Sequence, residues 1–322
     1  MTEKLRLFLF AALFFAAVCA SASCGYIDSE HSANPETSFP QQHQLNNKDS
    51  RHNAIRFSTT PVYYHDKVIV LMYHNVEVRS NHERILTVKL LDEHLSFMKK
   101  NGFRIISIDQ YMDFLLYEKP VPDNAVLLTF DDGYETFYTN VYPLLRKHGV
   151  TATDFIVVSS IDDPNYFGRA KLSWNQMREM KKAGMSFYNH SYASHAYASV
   201  DREGKRRQRP LLSHRIFLKQ LNRMETKLEY EKRIYNDLSK AEIRLKEELG
   251  NSRSALAFPY GAYSPTTLKI ARKAGIQVTF TVHQGINTRF MRNGFRINAG
   301  NRNQKTEDLI QMLKNEGKRI RR

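Results

Sequence analysis

The sequence predicts an α/β fold in which short apolar strands alternate with amphipathic helices and close toward a barrel. Two observations predict it. From about residue 62 onward, β-prone apolar runs are separated by segments whose apolar residues recur every three or four positions, as on one helical face. Three of those runs also end in residues that can do chemistry: Asp131 with Asp132, His190, and Tyr260. Barrel enzymes carry their active sites at the C-terminal ends of the strands.

The elements follow in order. Residues 67–73 read as a continuous apolar strand with His74 at its end. Residues 90–101 form a helix with Leu91, Leu95 and Met98 on one face, capped by Gly102. A strand at 104–108, a helix at 109–117 and a strand at 125–130 come next. A helix at 141–148 ends at Gly149 and a strand occupies 152–158; a helix at 174–182 closes at Gly184, before a strand at 185–189. A charged insertion around 198–250 then breaks the alternation. Its first part, 201–215, is basic and holds Gly204 and Pro210, so it reads as a loop beside the active face. Its second part, 229–249, places Ile234, Leu238, Ile243, Leu245 and Leu249 at apolar positions and reads as a surface helix packed on the barrel. A helix at 265–274 and a strand at 277–282 complete a domain expected to span 62–310, followed by a basic tail at 311–322.

The start of the chain reads as a leader. Lys4 and Arg6 precede an apolar run from Leu7 to about Ala20, too short for a comfortable membrane span. The two cysteines, Cys19 and Cys24, both fall in or at the end of it, so the folded domain is expected to have no disulfide and no cysteine ligand. Ser21-Ala22-Ser23-Cys24-Gly25 resembles a bacterial lipoprotein cleavage site, with Ser21 in place of the usual aliphatic residue. The expectation is a signal at 1–23 and an exported protein held at the outer face of the membrane through Cys24. Residues 24–61 are polar, with little to bury, and read as a tether reaching roughly 30 Å. The formal net charge is +15. No nucleic-acid motif accompanies it and the cations are spread along the chain, so the expected partners of an exported protein are anionic membrane or envelope surfaces.

The strand ends carry the chemistry. Adjacent aspartates on a strand normally face opposite ways, but at a frayed end followed by Gly133 both Asp131 and Asp132 can turn toward one cleft. Two such charges resist joint ionisation unless a cation lies between them. One carboxylate on a metal with its neighbour free as a base satisfies that; an Asp-capped helix start is the plainer alternative. His190 and His195 are five apart, about 140° from each other on a helix, so only a strand end running into a loop aims both at one ion. One carboxylate and two imidazoles leave positions open, as in catalytic zinc or non-haem iron sites. In Phe258-Pro259-Tyr260-Gly261, Pro259 stops the strand and Gly261 permits a turn, placing Tyr260 at the mouth of the fold.

These three segments, in this order, resemble the polysaccharide deacetylase family, also called the NodB-homology or carbohydrate esterase 4 family. The resemblance covers roughly residues 66 to 300 and implies a distorted, incomplete (β/α)7-type barrel. Carried over by position, it implies Asp131 as catalytic base and Asp132, His190 and His195 as ligands of a divalent metal, zinc foremost, with iron, cobalt and nickel as alternatives. It implies Pro259 and Tyr260 at the substrate, the Tyr260 N–H helping to bind the oxyanion. Three departures stand out: histidines five rather than four apart, Ala257 where an arginine is usual, and no Asp-x-x-Asp-Trp motif, the one tryptophan being Trp174. They resemble the circularly permuted branch that includes biofilm poly-N-acetylglucosamine deacetylases. There His74 would be the general acid, with His283 as the competing candidate. The expected activity is metal-dependent removal of N-acetyl groups from an N-acetylglucosamine polysaccharide. A non-catalytic glycan-binding barrel, or an esterase or amidase acting on another acyl group, are the alternatives.

Overall fold

Apolar residues fill Val68–Tyr73 and most of Ala125–Asp131, as strands covered on both faces require, and both strands are buried from end to end. The computed structural model describes residues 61–204 and 208–318. Within them these two strands are the centre of a 10-stranded sheet. Its path runs Ile286–Asn287, Val68–Tyr73, Ala125–Asp131, Thr153–Ile156, Ser186–Asn189, Ala255–Ala257, Val278–Phe280 and Asn293–Gly294. Arg104–Ile106 pairs with Ala125–Asp131, and Ile297–Asn298 with Val68–Tyr73, both in parallel. Every other pairing along the path is parallel except that of Ile286–Asn287. The result is a nearly closed, barrel-shaped sheet of the family the sequence resembles.

Asn287 draws the ends of that sheet together with a side chain. Its amide group donates to the Val68 carbonyl at 3.2 Å and the Phe295 carbonyl at 3.0 Å, while its oxygen accepts from the Phe295 N–H at 2.8 Å. A fully buried side-chain amide thus makes the bonds a further strand residue would have made.

Strand alternation divides the core. Val68, Val70, Ala125, Leu127, Phe155 and Phe280 fill the barrel interior, while Ile69, Leu71, Val126, Leu128 and Phe130 face the helices outside. The helices are Val88–Lys100, Ile108–Tyr117, Tyr142–His148, Trp174–Lys182, Lys227–Leu249, Pro265–Lys273 and Thr306–Glu316, with a short one at Ser159–Asp162. Reciprocal capping boxes begin those after Ser107, Ser173, Thr226 and Ser264, fixing where each starts.

Three expectations need correcting. The domain does not end at 310, because Thr306–Glu316 continues as a helix whose Leu309, Ile310 and Leu313 are buried against Val88–Lys100. Its apolar stripe outweighs the basic character that suggested a tail; residues 319–322, with the leader and tether, lie outside the described residues. The stretch 201–215 is not wholly loop, since Gln208–Pro210 pairs antiparallel with Tyr197–Ser199. In the long helix Lys227–Leu249, Ile243 is exposed, and the buried stripe is Tyr230, Ile234, Leu238, Ala241, Leu245 and Leu249, a sounder helical period.

Candidate active site

A cleft of about 590 Å³ opens at the C-terminal ends of the strands and is lined in part by His74, Asp131, Asp132, Tyr134, His190, His195 and Tyr260. Asp131 reaches it by parity alone. Ala125, Leu127 and Asp131 sit two and four positions apart on the inward face of their strand. Asp132 would face outward if the strand continued. Its backbone instead enters the left-handed region at φ 82°, followed by Gly133 at φ 64°. The bend is therefore made one residue earlier than the glycine suggests, and it swings the second carboxylate into the same cleft. Gly133 remains necessary for a second reason: a Cβ there would lie 2.9 Å from Ile156 Cδ1. The Lys171 ammonium donates to the Asp132 carbonyl oxygen at 2.8 Å, satisfying a group the turn withdraws from the sheet.

The two histidines arrive from one loop. His190 follows the strand Ser186–Asn189, its amide donating to the Ile156 carbonyl, and Ser191 turns the chain at φ 75°. His195 then folds back, with its Nε2 3.2 Å from Asp132 Oδ1; His190 Nε2 is 3.6 Å from the same oxygen. Candidate ligand atoms of Asp132, His190 and His195 all lie within 4.8 Å of one another.

The arrangement fits a metal ion. Asp132 Oδ1 is buried and has no hydrogen-bond partner among the described residues, an expensive state for a carboxylate oxygen unless a cation meets it. His190 Nδ1–H donates to the Ala257 carbonyl at 2.8 Å, which fixes the tautomer and leaves Nε2 with a free lone pair toward the cleft. Burial pulls His190 down to about 4, against the opposing pull of Asp131 and Asp132, so the ring is neutral at pH 7. Burial pushes the Asp132 carboxyl up, but His195, with its Nε2 3.2 Å from Oδ1, and the nearby His190 and His74 outweigh it and hold it well below the usual carboxylate range.

Asp131 has a partner that sequence reasoning missed. Arg296 is completely buried and grips it with two parallel bonds, Nη1 to Oδ1 at 2.7 Å and Nη2 to Oδ2 at 2.8 Å. Its Nε donates to the Thr281 carbonyl at 2.9 Å. Burial alone would raise the Asp131 carboxyl; Arg296, helped by His190 and His74, overrides that and keeps it ionised. The arginine absent at Ala257 is thus supplied by Arg296, between the strands Asn293–Gly294 and Ile297–Asn298. The one sequence signal was a charge in the midst of Phe295-Arg296-Ile297.

His74 and His283 are separated clearly. His74 lines the cleft with Nε2 3.9 Å from Asp131 Oδ2. His283 is exposed, sits edge-on to the Tyr263 ring at 6.4 Å between centroids, and does not line the cleft. Pro259 is buried and opens a tight turn in which Tyr260 adopts φ 59°. The Tyr260 amide meets no protein acceptor among the described residues, and its ring packs on His195 with centroids 4.6 Å apart. His74, Asp131, Asp132, His190, His195 and Tyr260 therefore stand around one opening, with Arg296 bound to Asp131.

With that geometry in place, the comparisons are unambiguous about family. Residues 118–279, just over half of the chain, match the family model described as polysaccharide deacetylase. The chain belongs to the polysaccharide deacetylase family. Among curated relatives, the poly-beta-1,6-N-acetyl-D-glucosamine N-deacetylase of Escherichia coli (strain K12) is 28% identical over 239 residues, covering 69% of this chain and 35% of that protein. The enzyme of that name from Staphylococcus aureus (strain MRSA252) is 26% identical over 196 residues, covering 60% of this chain and 59% of its own. The chain therefore spans about a third of the first relative's length and three-fifths of the second's. Among solved structures, a de-N-acetylase from Aggregatibacter actinomycetemcomitans superimposes with a TM-score of 0.69 at 25% identity, over 76% of this chain and 99% of that one.

Proposed function

We propose that this polysaccharide deacetylase is a metal-dependent hydrolase removing N-acetyl groups from an N-acetylglucosamine polysaccharide of the cell envelope or extracellular matrix. One observation carries the reading: a carboxylate kept ionised by a buried arginine shares a cleft with three convergent metal-ligand groups. A cleft used for adhesion alone has no need of a base and an unsatisfied ligand oxygen side by side. The names of the relatives favour a β-1,6-linked polymer as substrate.

A divalent ion held by Asp132, His190 and His195, zinc foremost, would polarise the acetyl carbonyl and acidify the attacking water. Asp131 takes the proton of that water as its oxygen bonds to the carbonyl carbon. Arg296 fixes the carboxylate in plane and ionised, so that it accepts that proton without first giving one up. The Tyr260 N–H, without a protein acceptor among the described residues, donates to the developing oxyanion, a contribution typically of about 3 kcal/mol. His74, beside Asp131, donates a proton to the departing nitrogen as the C–N bond breaks. Acetate and a glucosamine unit leave. In the cell we place the protein outside the membrane, anchored through a lipid on Cys24, with its polar tether carrying the barrel to the polymer.

The direct test is acetate release from poly-β-1,6-N-acetylglucosamine by the intact chain, with chelator and then with zinc restored. Release that stops with chelator and returns with zinc is expected. Bound metal without release from any N-acetylglucosamine polymer would move the reading to another acyl substrate, and no metal uptake would leave a binding barrel.

A further inference from the structure

The insertion at 198–250 is the large feature of this chain that the chemistry above leaves unused. Its helix Lys227–Leu249 lies along the strand Ser186–Asn189 and the loop that carries both histidines. Asp237, on that helix, directs its carboxylate at the loop: Oδ1 accepts from the Tyr192 N–H at 3.2 Å and Oδ2 from the Ala193 N–H at 2.8 Å. Lys240, three residues further on, sets its ammonium over the Tyr192 ring at 3.8 Å. The same helix receives Asn189, whose Nδ2 donates to the Leu238 carbonyl at 3.2 Å and to Glu242 at 2.8 Å. That orients the Asn189 oxygen to accept from Ser191 N–H at 2.7 Å, where the chain takes its left-handed turn.

These bonds fall on residues 189, 191, 192 and 193, on the inner span between the two imidazoles rather than on the imidazoles themselves. Residues 192 and 193 belong to neither strand nor helix, so their amides need acceptors from elsewhere. Without Asp237 those amides turn to water and the span gains freedom, and a metal ion would then have to supply that ordering on binding. We infer that Asp237 is a positioning residue for the metal centre: its carboxylate, presented by the inserted helix, preorganises the loop so that His190 and His195 converge with Asp132 before any ion arrives. The inference rests on the metal-centre reading above and deepens it. It also gives the insertion a task, as the outer wall against which the ligand loop is cast.

Zinc titration against a competing chelator tests it with no need of substrate, on the intact chain and on Asp237→Ala, Asp237→Asn and Ile234→Ala. Ile234 is buried on the same helix and touches none of these bonds, so it reports what loosening the helix alone does. Asp237→Ala should raise the zinc dissociation constant about 10–100-fold, the usual effect of losing an outer-shell partner. Asp237→Asn keeps one acceptor oxygen and should show a smaller rise; if the alanine variant does not fold, this one decides. Ile234→Ala should lower thermal stability while leaving zinc affinity at the parent's value. Zinc affinity within twofold of the parent in both Asp237 variants overturns the inference, as does an equal loss in Ile234→Ala. Parent protein that takes up no zinc overturns the metal-centre reading itself, and this inference with it.

Discussion

Replacing Arg296 with methionine isolates the one charge on which the candidate base depends. Arg296 and Asp131 are 1% and 2% exposed, so neither has water to fall back on. The variant keeps most of the side-chain volume but leaves a carboxylate in the barrel with its two bonds, at 2.7 and 2.8 Å, unmade. Breaking a buried pair in this way costs roughly 3–5 kcal/mol, a large share of the ~5–15 kcal/mol that holds a typical domain together. In urea unfolding this is a midpoint lower by on the order of 1–2 M. The double variant Arg296→Met with Asp131→Asn removes both charges and should recover at least half of that loss. The pair also sets the pH response. With the guanidinium gone, burial becomes the dominant influence on Asp131, so its pKa rises and the charged form is lost at a higher pH. The acid limb of acetate release should therefore move upward in Arg296→Met. A single variant within about 1 kcal/mol of the parent, or a double variant no more stable than the single one, would refute the argument that an uncompensated buried charge is what Arg296 prevents.

The remaining predictions concern the turn, the proton donor and the buried histidines. Gly133→Ala forces a Cβ into a φ of 64° and to 2.9 Å from Ile156, so it should cost about 1–3 kcal/mol in thermal unfolding and weaken zinc binding; unchanged zinc affinity would remove the turn from the metal centre. His74→Ala should slow acetate release with zinc content unchanged, whereas His283→Ala should leave kcat/KM near the parent's; the reverse pattern transfers the donor role. Burial draws His94 and His190 from 6.5 down to about 4. The unfolded chain takes up those protons near pH 6.5 and the folded one does not, so stability falls as the pH drops from 6.5 to 4, by roughly 3 kcal/mol per histidine. Urea unfolding of the metal-free protein across that window checks the slope, and His94→Phe should remove about half of it; a flat profile contradicts the reading.

How much of this could be read in advance follows from the range of the interactions. Asp131, Asp132, His190 and Tyr260 were legible because each lies at the end of an apolar run, and His195 because it follows His190 by five residues in a stretch of small residues suited to a loop. Helices were legible for a similarly local reason, since their apolar residues recur every three or four positions. The Arg296 pairing was not, because it joins positions separated by 165 in the chain and no local pattern records which strands become neighbours. The turn at Asp132 was placed on Gly133 because glycine tolerates positive φ most easily; the fold imposes it on the aspartate as well. The end of the domain was set too early because a basic run at the close of the chain masked the apolar stripe of Leu309, Ile310 and Leu313.

The neighbours of Val68–Tyr73 carry a consequence for how the protein is born. This first strand lies between Ala125–Asp131 and Ile297–Asn298, so the partners of Asp131 come from both extremes of the barrel: His74 from its opening strand, Arg296 from its closing one. A chain emerging from the ribosome, N-terminal end first, holds an aspartate that cannot be comfortably buried until some 165 further residues have been made. Completion of the barrel and pairing of Asp131 are then a single late event. Nascent chains halted short of Arg296 should stay protease-sensitive, with Asp131 still lacking its buried partner.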